Sequence, residues 1–244
     1  MDNTNSLIKF LERQNELSKI GIPPEKAQAI LNKSLDKLGL QLTKVLGQGD
    51  NGIAYLASNG DVVKFTIDQR EALLWKRLLD KRLKGIAGIK AVYNLTSKTL
   101  GDTPLYLVHI DYVPYPLSKS QELMISKGLE LVRLRLREEY KGISGDERQR
   151  KMWELRSMRF ANAFDEMAQQ DPAFGNIFDL LLDLADKYKG FIYDLHPGNF
   201  RINEEGMITL IDPSIPDLLG DVINPEKLAF EEKLELIFGT KMIV

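Results

Sequence analysis

Apolar positions recur along this chain in three rhythms, and each marks a different kind of element. Leu7, Ile8, Leu11, Leu17 and Ile20 are spaced as one helical face that stops at Gly21. Pro23 and Pro24 open a second helix with Ala27, Ile30, Leu31, Leu35 and Leu38 on its apolar face, and Gly39 closes it. Such short amphipathic helices cannot bury themselves, so they pack on the body or on a partner, the body being favoured. From residue 53 the rhythm changes to strand, turn and strand: 53–57, Ser58-Asn59-Gly60-Asp61, 62–66. Asp68 then caps a helix running through Ala72, Leu73, Leu74, Trp75, Leu78, Leu79 and Leu83. Strands at 89–95 and 105–113 follow, the second ended by Pro114 and Pro116. The third rhythm is helical again, at 118–142 and 146–170 around a break at Gly142-Ile143-Ser144-Gly145, then a strongly apolar helix at 175–189. A hairpin pairs Phe200-Arg201-Ile202 with 207–211 across the turn Asn203-Glu204-Glu205-Gly206, and a last helix covers 228–238. The class is α+β.

Two stretches carry candidate chemistry. Gly47-Gln48-Gly49-Asp50-Asn51-Gly52 is a G-x-G-x-x-G, but a strand follows it rather than the helix a dinucleotide fingerprint needs. The glycines therefore sit at a hairpin tip, where missing side chains let backbone N–H groups approach phosphate oxygens. Lys64 ends the next strand and points its ammonium beneath that loop; the plain alternative is a solvated lysine. Glu71 has two competing uses: it closes a capping box with Asp68, or it turns inward to pair with Lys64, which is favoured.

The second stretch is Tyr193-Asp194-Leu195-His196-Pro197-Gly198-Asn199-Phe200, followed by Leu210-Ile211-Asp212-Pro213. The hairpin between them folds back, so Asn199 and Asp212 come to the same end of two paired strands. Two hard oxygen ligands beside the carboxylate of Asp194 suit Mg²⁺ and the phosphates it carries. The plain alternative is a polar loop and an ordinary hairpin.

Composition narrows the classes. The 244 residues suit one bilobal domain or two small ones. A hydrophobic share of 43% and a charged share of 28% are ordinary for a globular protein. A net charge of −2 argues for neither a nucleic-acid nor a membrane partner. With no cysteine there is neither a disulfide nor a thiolate metal site, compatible with a reducing cytoplasm. A polar start and the lack of any apolar run of membrane-spanning length complete an expectation of a cytoplasmic protein. Nine Lys/Arg between Arg133 and Arg159 read either as a docking surface for an acidic partner or nucleic acid, or as a solvated, salt-bridged helical face; the face is favoured. His109 reads as a strand-packing residue.

The ordered set of glycine-rich loop, strand lysine, helix glutamate, linker strand, catalytic loop and metal aspartate resembles the protein-kinase-like superfamily. The resemblance covers 43–113 and 176–215. The form Asp194-Leu195-His196-x-Gly198-Asn199 with Asp212-Pro213 is similar to short atypical serine/threonine kinases of bacteriophages and, more distantly, to aminoglycoside-phosphotransferase-like kinases. It implies a bilobal kinase-like fold: an N-terminal helical extension at 1–42, an N-lobe at 43–113 and a reduced helical C-lobe at 114–244. It implies ATP and Mg²⁺, with Gly47, Gly49 and Gly52 over the triphosphate, Lys64 on its α- and β-phosphates and Glu71 orienting Lys64. Adenine lies against Ala54 and Val62, with backbone groups from Asp111 to Val113 supplying its hydrogen bonds. Asp194 takes the acceptor's proton and Asn199 and Asp212 hold the metal. His196 either donates to the γ-phosphate or simply braces the loop.

The implied activity is transfer of the γ-phosphate to a hydroxyl, Ser/Thr of a protein first (a host protein, in the host cytoplasm, if phage-encoded) and a small molecule second. Asp165, Glu166, Asp171 and Asp179 are candidates to receive a cationic small substrate. A nucleotide-binding pseudokinase acting as a regulatory module and an AMP-transferring enzyme are the rivals. Departures from the pattern are Ile192-Tyr193 for His-Arg, Asp212-Pro213-Ser214 for Asp-Phe-Gly, Arg201 on the adenine floor, and a lysine-to-glutamate spacing of seven. With 32 residues after Asp212, no phosphorylation-controlled activation loop is expected, and acceptor recognition falls to 1–42 and 118–170.

Overall fold

Two apolar runs joined by the turn Ser58-Asn59-Gly60-Asp61 make 52–66 a pair of adjacent strands, and the computed structural model builds a sheet around them. It describes residues 4–13, 24–79, 81, 83–95, 105–139, 141, 145–187 and 195–212. The order of elements is α1 (Thr4–Arg13), α2 (Pro24–Lys37), β1 (Leu42–Gln48), β2 (Gly52–Ala57), β3 (Val62–Thr66), α3 (Gln69–Leu78), β4 (Ile89–Asn94), β5 (Tyr106–Ile110), α4 (Lys119–Glu139), α5 (Gly145–Gln170), α6 (Gly175–Lys187), β6 (Phe200–Ile202) and β7 (Ile208–Leu210). Short 3₁₀ turns occupy Pro172–Phe174 and Pro197–Asn199. The fold is mixed α+β, with six α-helices and a five-stranded antiparallel sheet among the described residues. Contacts divide the chain into two units, one containing Met1–Lys81 and Gly88–Tyr112, the other containing Arg82–Ala87 and Val113–Leu218.

In the first unit the strands run in the order β1-β2-β3-β5-β4. Residues Ile53, Tyr55, Ala57, Val63, Phe65 and Leu107 point to one face and join Leu7, Phe10, Leu11, Leu31, Leu35 and Leu40 in a single core. The helical preface thus packs on the body, and its placement has a local cause. Gly39, at φ +66°, ends α2 as its left-handed residue. Leu40 N–H reaches back to Leu35 O at 2.9 Å and Gly39 N–H to Asp36 O at 3.0 Å. That is a Schellman ending, and its accompanying apolar contact is Leu40 with Leu35, both buried. Tyr55 carries the one dissonant group of this core, a buried hydroxyl with no hydrogen-bond partner among the described residues.

The opposite face of the sheet carries Ala54, Val62, Lys64 and Thr66, because cross-strand partners share a face and neighbours along a strand do not. Helix α3 starts here: Asp68 accepts the N–H of Glu71 at 3.4 Å, the bond of an N-cap to N3.

In the second unit Ser118 and Gln121 form a reciprocal cap at the start of α4, with Gln121 N–H to Ser118 Oγ at 3.3 Å and Ser118 N–H to Gln121 Oε1 at 3.0 Å. Helix α4 closes before Lys141, which lies in a turn, whereas residues 188 and 189, expected at the end of α6, lie outside the described residues. Strand β5 stops at Ile110 rather than 113, since the stretch before Pro114 leaves the ladder. Phe164 of α5 lies 6.2 Å from Phe174 and 5.6 Å from Phe200 between ring centroids, anchoring β6 to the helical core. Gly85 at φ +81° bears on α6 so closely that a Cβ would stand 2.6 Å from Asn176 O. Its carbonyl accepts Leu210 N–H at 2.8 Å, which holds β7 in place. The helix expected at 228–238 lies outside the described residues.

Candidate functional site

The glycine-rich sequence forms the tip of the β1–β2 hairpin, closed by Gly49 N–H to Gly52 O at 2.9 Å. Its three glycines have different reasons to be there. A Cβ on Gly52 would meet Phe65 O at 2.6 Å and Lys64 Cε at 3.2 Å, so close strand packing demands glycine. At Gly47 and Gly49 a Cβ would meet nothing within 4 Å, and neither has a positive φ. Packing of the described residues therefore does not require those two glycines, which leave backbone N–H groups without covering side chains.

Lys64 lies directly across from Ala54 in β2 and Val108 in β5. Its Nζ stands 2.7 Å from Glu71 Oε1, with side-chain exposures of 13% and 6%: a nearly dry ion pair. The local competition over Glu71 is thus decided inward. The reason is visible in the neighbouring groups. Asp68 N–H, which a capping box would have given to Glu71, goes to Thr66 Oγ1 at 3.1 Å instead. Thr66 Oγ1 in turn donates to Glu71 Oε2 at 2.8 Å, and Trp75 Nε1–H to Glu71 Oε1 at 3.1 Å. Thr66 and Trp75 were not singled out in the sequence. Their positions, two along the strand from Lys64 and one helical turn beyond Glu71, are the signal that would have found them.

Ala54 is half-buried and Val62 buried on the face of Lys64. Asp111 is exposed, and its N–H is already engaged with Gly88 O at 2.8 Å. Its carboxylate reaches Lys90 at 3.0 Å. Val113 is buried in the second unit.

His109 differs from the packing role expected of it. Its Nε2 is 2.7 Å from Asp61 Oδ2, and Asp61 also receives Lys90 Nζ at 2.6 Å and Asn59 Nδ2 at 2.8 Å. Burial opposes ionisation of Asp61, but the hydrogen bonds from Lys90 and His109 outweigh it and hold the carboxyl below its ordinary range. The hydrogen bond from Lys90 to Asp61 holds the ammonium above its own, against the opposing effect of burial. Burial, with Asp68 nearby, pushes the Tyr106 phenol up to about 12.

No protein-family profile matches the chain, and no curated protein matches it.

In the second unit the loop His196-Pro197-Gly198-Asn199 forms a 3₁₀ turn. His196 is its N-cap, with Nδ1 accepting Gly198 N–H at 3.1 Å. That bond leaves the ring proton of a neutral imidazole on Nε2. Loop-bracing and donation are therefore compatible uses of one ring. A Cβ on Gly198 would meet His196 Cε1 at 2.8 Å, so the ring would have to shift for any other residue to stand there. Asn199 is 7% exposed, and its carbonyl accepts Ile211 N–H at 2.8 Å, extending the β6–β7 pairing past Phe200 and Leu210. Asn199 and Asp212 thus occupy the same end of the hairpin, as its folding back requires. Arg201 pairs with Thr209 within it. Asp194 lies outside the described residues.

Two oxygen donors at a strand end suit Mg²⁺, which takes one or two protein ligands and fills its octahedron with phosphate oxygens and water. Among the described residues no three His, Cys, Asp or Glu side chains are grouped to hold a metal. Of the acidic residues considered for a cationic substrate, Asp171 is committed elsewhere, accepting Ala173 N–H at 3.0 Å and Gln121 Nε2–H at 2.8 Å. Three members of the basic window have partners: Arg133 donates to Leu195 O, Lys141 pairs with Glu138 and Arg159 with Glu139. No helix among the described residues is long and apolar enough to cross a membrane.

Proposed function

We propose that this protein is an ATP- and Mg²⁺-dependent phosphotransferase of bilobal kinase-like fold that moves the γ-phosphate of ATP to a hydroxyl, with Ser/Thr of a protein as acceptor. The observation that carries this reading is the Lys64–Glu71 pair on the strand that follows the glycine hairpin. A buried ion pair is seldom a gain over apolar residues of the same size, so an ammonium kept and braced in this way argues for a use beyond folding. Glycines at 47 and 49 that packing does not require support the same use, as does a neighbouring face of small and apolar residues for a base.

In this reading Gly47, Gly49 and Gly52 present backbone to the triphosphate, Lys64 neutralises its α- and β-phosphates, and Ala54 and Val62 bear on adenine, with the backbone near Asp111 and Val113 at its edge. Asn199 and Asp212 hold the metal. Bound Mg²⁺ supplies neutralisation of phosphate charge. Asp194 receives the proton of the acceptor hydroxyl as its oxygen bonds to the γ-phosphorus and the bond from that phosphorus to the bridging oxygen breaks, releasing ADP. His196, with Nδ1 tied to Gly198, offers Nε2–H to the γ-phosphate. Positioning and charge neutralisation do most of the work.

The test is transfer from γ-labelled ATP with Mg²⁺, to the protein alone and to a bacterial lysate. Wild type labels protein, and Lys64→Ala, Asp194→Asn and Asp212→Asn each lower labelling by roughly a hundredfold or more. Nucleotide binding without transfer, or transfer of an α-phosphate label, refutes the reading.

A further inference from the structure

Helix α4 buries Ile125, Leu129, Val132 and Leu136 along one side. The opposite side carries three large apolar residues that remain open, Leu123 at 52%, Leu131 at 54% and Leu134 at 49% exposure. Leu123, Lys127, Glu130 and Leu134 succeed one another at spacings of four, three and four, the alternation of a coiled-coil seam, and Leu131 flanks it. Lys127 and Glu130 are both exposed.

We infer that this face of α4 binds the same face of a second copy, as an antiparallel helix pair with its two-fold axis between Lys127 and Glu130. The argument is self-complementarity. About that axis Leu123 of each copy meets Leu134 of the other, and Lys127 of each meets Glu130 of the other, so every layer of the seam is matched twice. Lys119 likewise comes opposite Glu138, which now holds Lys141 at 2.6 Å. Parallel pairing would set lysine against lysine and glutamate against glutamate, so the charges select the antiparallel register. The seam carries one positive and one negative charge between leucines, which matches itself better than it matches a nucleic acid or a strongly charged protein. From Leu123 to Leu134 it is about 16 Å long at 1.5 Å per residue. An interface this small belongs with weak, reversible complexes, with a dissociation constant on the order of 10–100 µM.

The experiment is sedimentation of the full chain from about 5 to 500 µM, with circular dichroism of each variant to verify folding. Wild type passes from monomer to dimer across that range. Lys127→Glu and Glu130→Lys, each alone, put like charges into both central layers and weaken self-association about tenfold or more. Mixed in equal amounts they recover it, because every central layer of the mixed dimer again pairs opposite charges; an effect confined within one helix cannot produce that recovery. Leu134→Gln weakens association as well. A wild type that stays monomeric, single charge variants that associate as tightly as wild type, a mixture that stays monomeric, or indifference to Leu134→Gln would each overturn the inference.

Discussion

Glu71 is the residue whose removal tests the interior of the first unit most directly. It is 5% exposed and takes hydrogen bonds from Lys64, Thr66 and Trp75 at 2.7, 2.8 and 3.1 Å. Glu71→Ala withdraws the carboxylate from an ammonium that is only 13% exposed, a loss of about 3–5 kcal/mol. Trp75 loses its acceptor as well, while Thr66 Oγ1 retains Asn51 O at 3.1 Å, which keeps the cost within that range. Lys64→Met costs less, about 1–3 kcal/mol, because Thr66 and Trp75 still donate to the carboxylate. The double variant Lys64→Met/Glu71→Leu removes both charges and puts apolar volume in their place. Its cost falls short of the sum of the singles by about 2 kcal/mol or more. Urea unfolding followed by tryptophan fluorescence in a Trp153→Phe background reports on this point, since Trp75 is then the sole indole and itself donates to Glu71. A Glu71→Ala cost under about 1 kcal/mol, with additive singles, would refute a dry and coupled pair.

The glycine hairpin and the Asp61 cluster give two more expectations. Gly52→Ala forces a Cβ against the Phe65 carbonyl and lowers stability by about 1–3 kcal/mol, whereas Gly49→Ala enters open space and stays within about 0.5 kcal/mol by thermal denaturation. Asp61→Asn loses about 1 kcal/mol at neutral pH. Because the Asp61 pKa is depressed in the fold, its contribution is present above the ordinary value of 3.8 and is lost as pH falls through the lower folded value. Denaturation curves of wild type and Asp61→Asn should therefore converge in acid; a gap that persists far below pH 3.8 would contradict the assignment.

Most elements were legible because their causes are local. Short apolar runs either side of the turn Ser58-Asn59-Gly60-Asp61 marked β2 and β3, helical spacing marked α2 and α3, and Gly39 marked the end of α2 by a backbone conformation that other residues adopt at a cost. Where an element ends was less legible, as at Ile110 and Glu139, since the last turns and ladder positions depend on which neighbours remain to bond them. His109 shows a deeper limit. Its partner Asp61 stands 48 positions earlier, and only the pairing of β3 with β5 brings the turn before β3 to its side.

The sequence by itself determined the composition of the candidate chemistry: glycines before a strand lysine, a glutamate at the start of the next helix, and an asparagine and aspartate flanking a hairpin. Those are facts of order and spacing, and the hairpin turn needs little beyond Gly206 at φ +78° with its N–H on Asn203 O to fold back. Which of two uses Glu71 takes could not be settled from spacing, because the capping box and the ion pair both satisfy it locally. Tertiary structure decided it. Thr66 claims the Asp68 amide, and the sheet presents a nearly dry ammonium that only a nearby carboxylate can compensate. The same holds for the open leucines of α4: helical spacing put apolar residues on both sides of that helix, and only packing showed which side the protein itself buries.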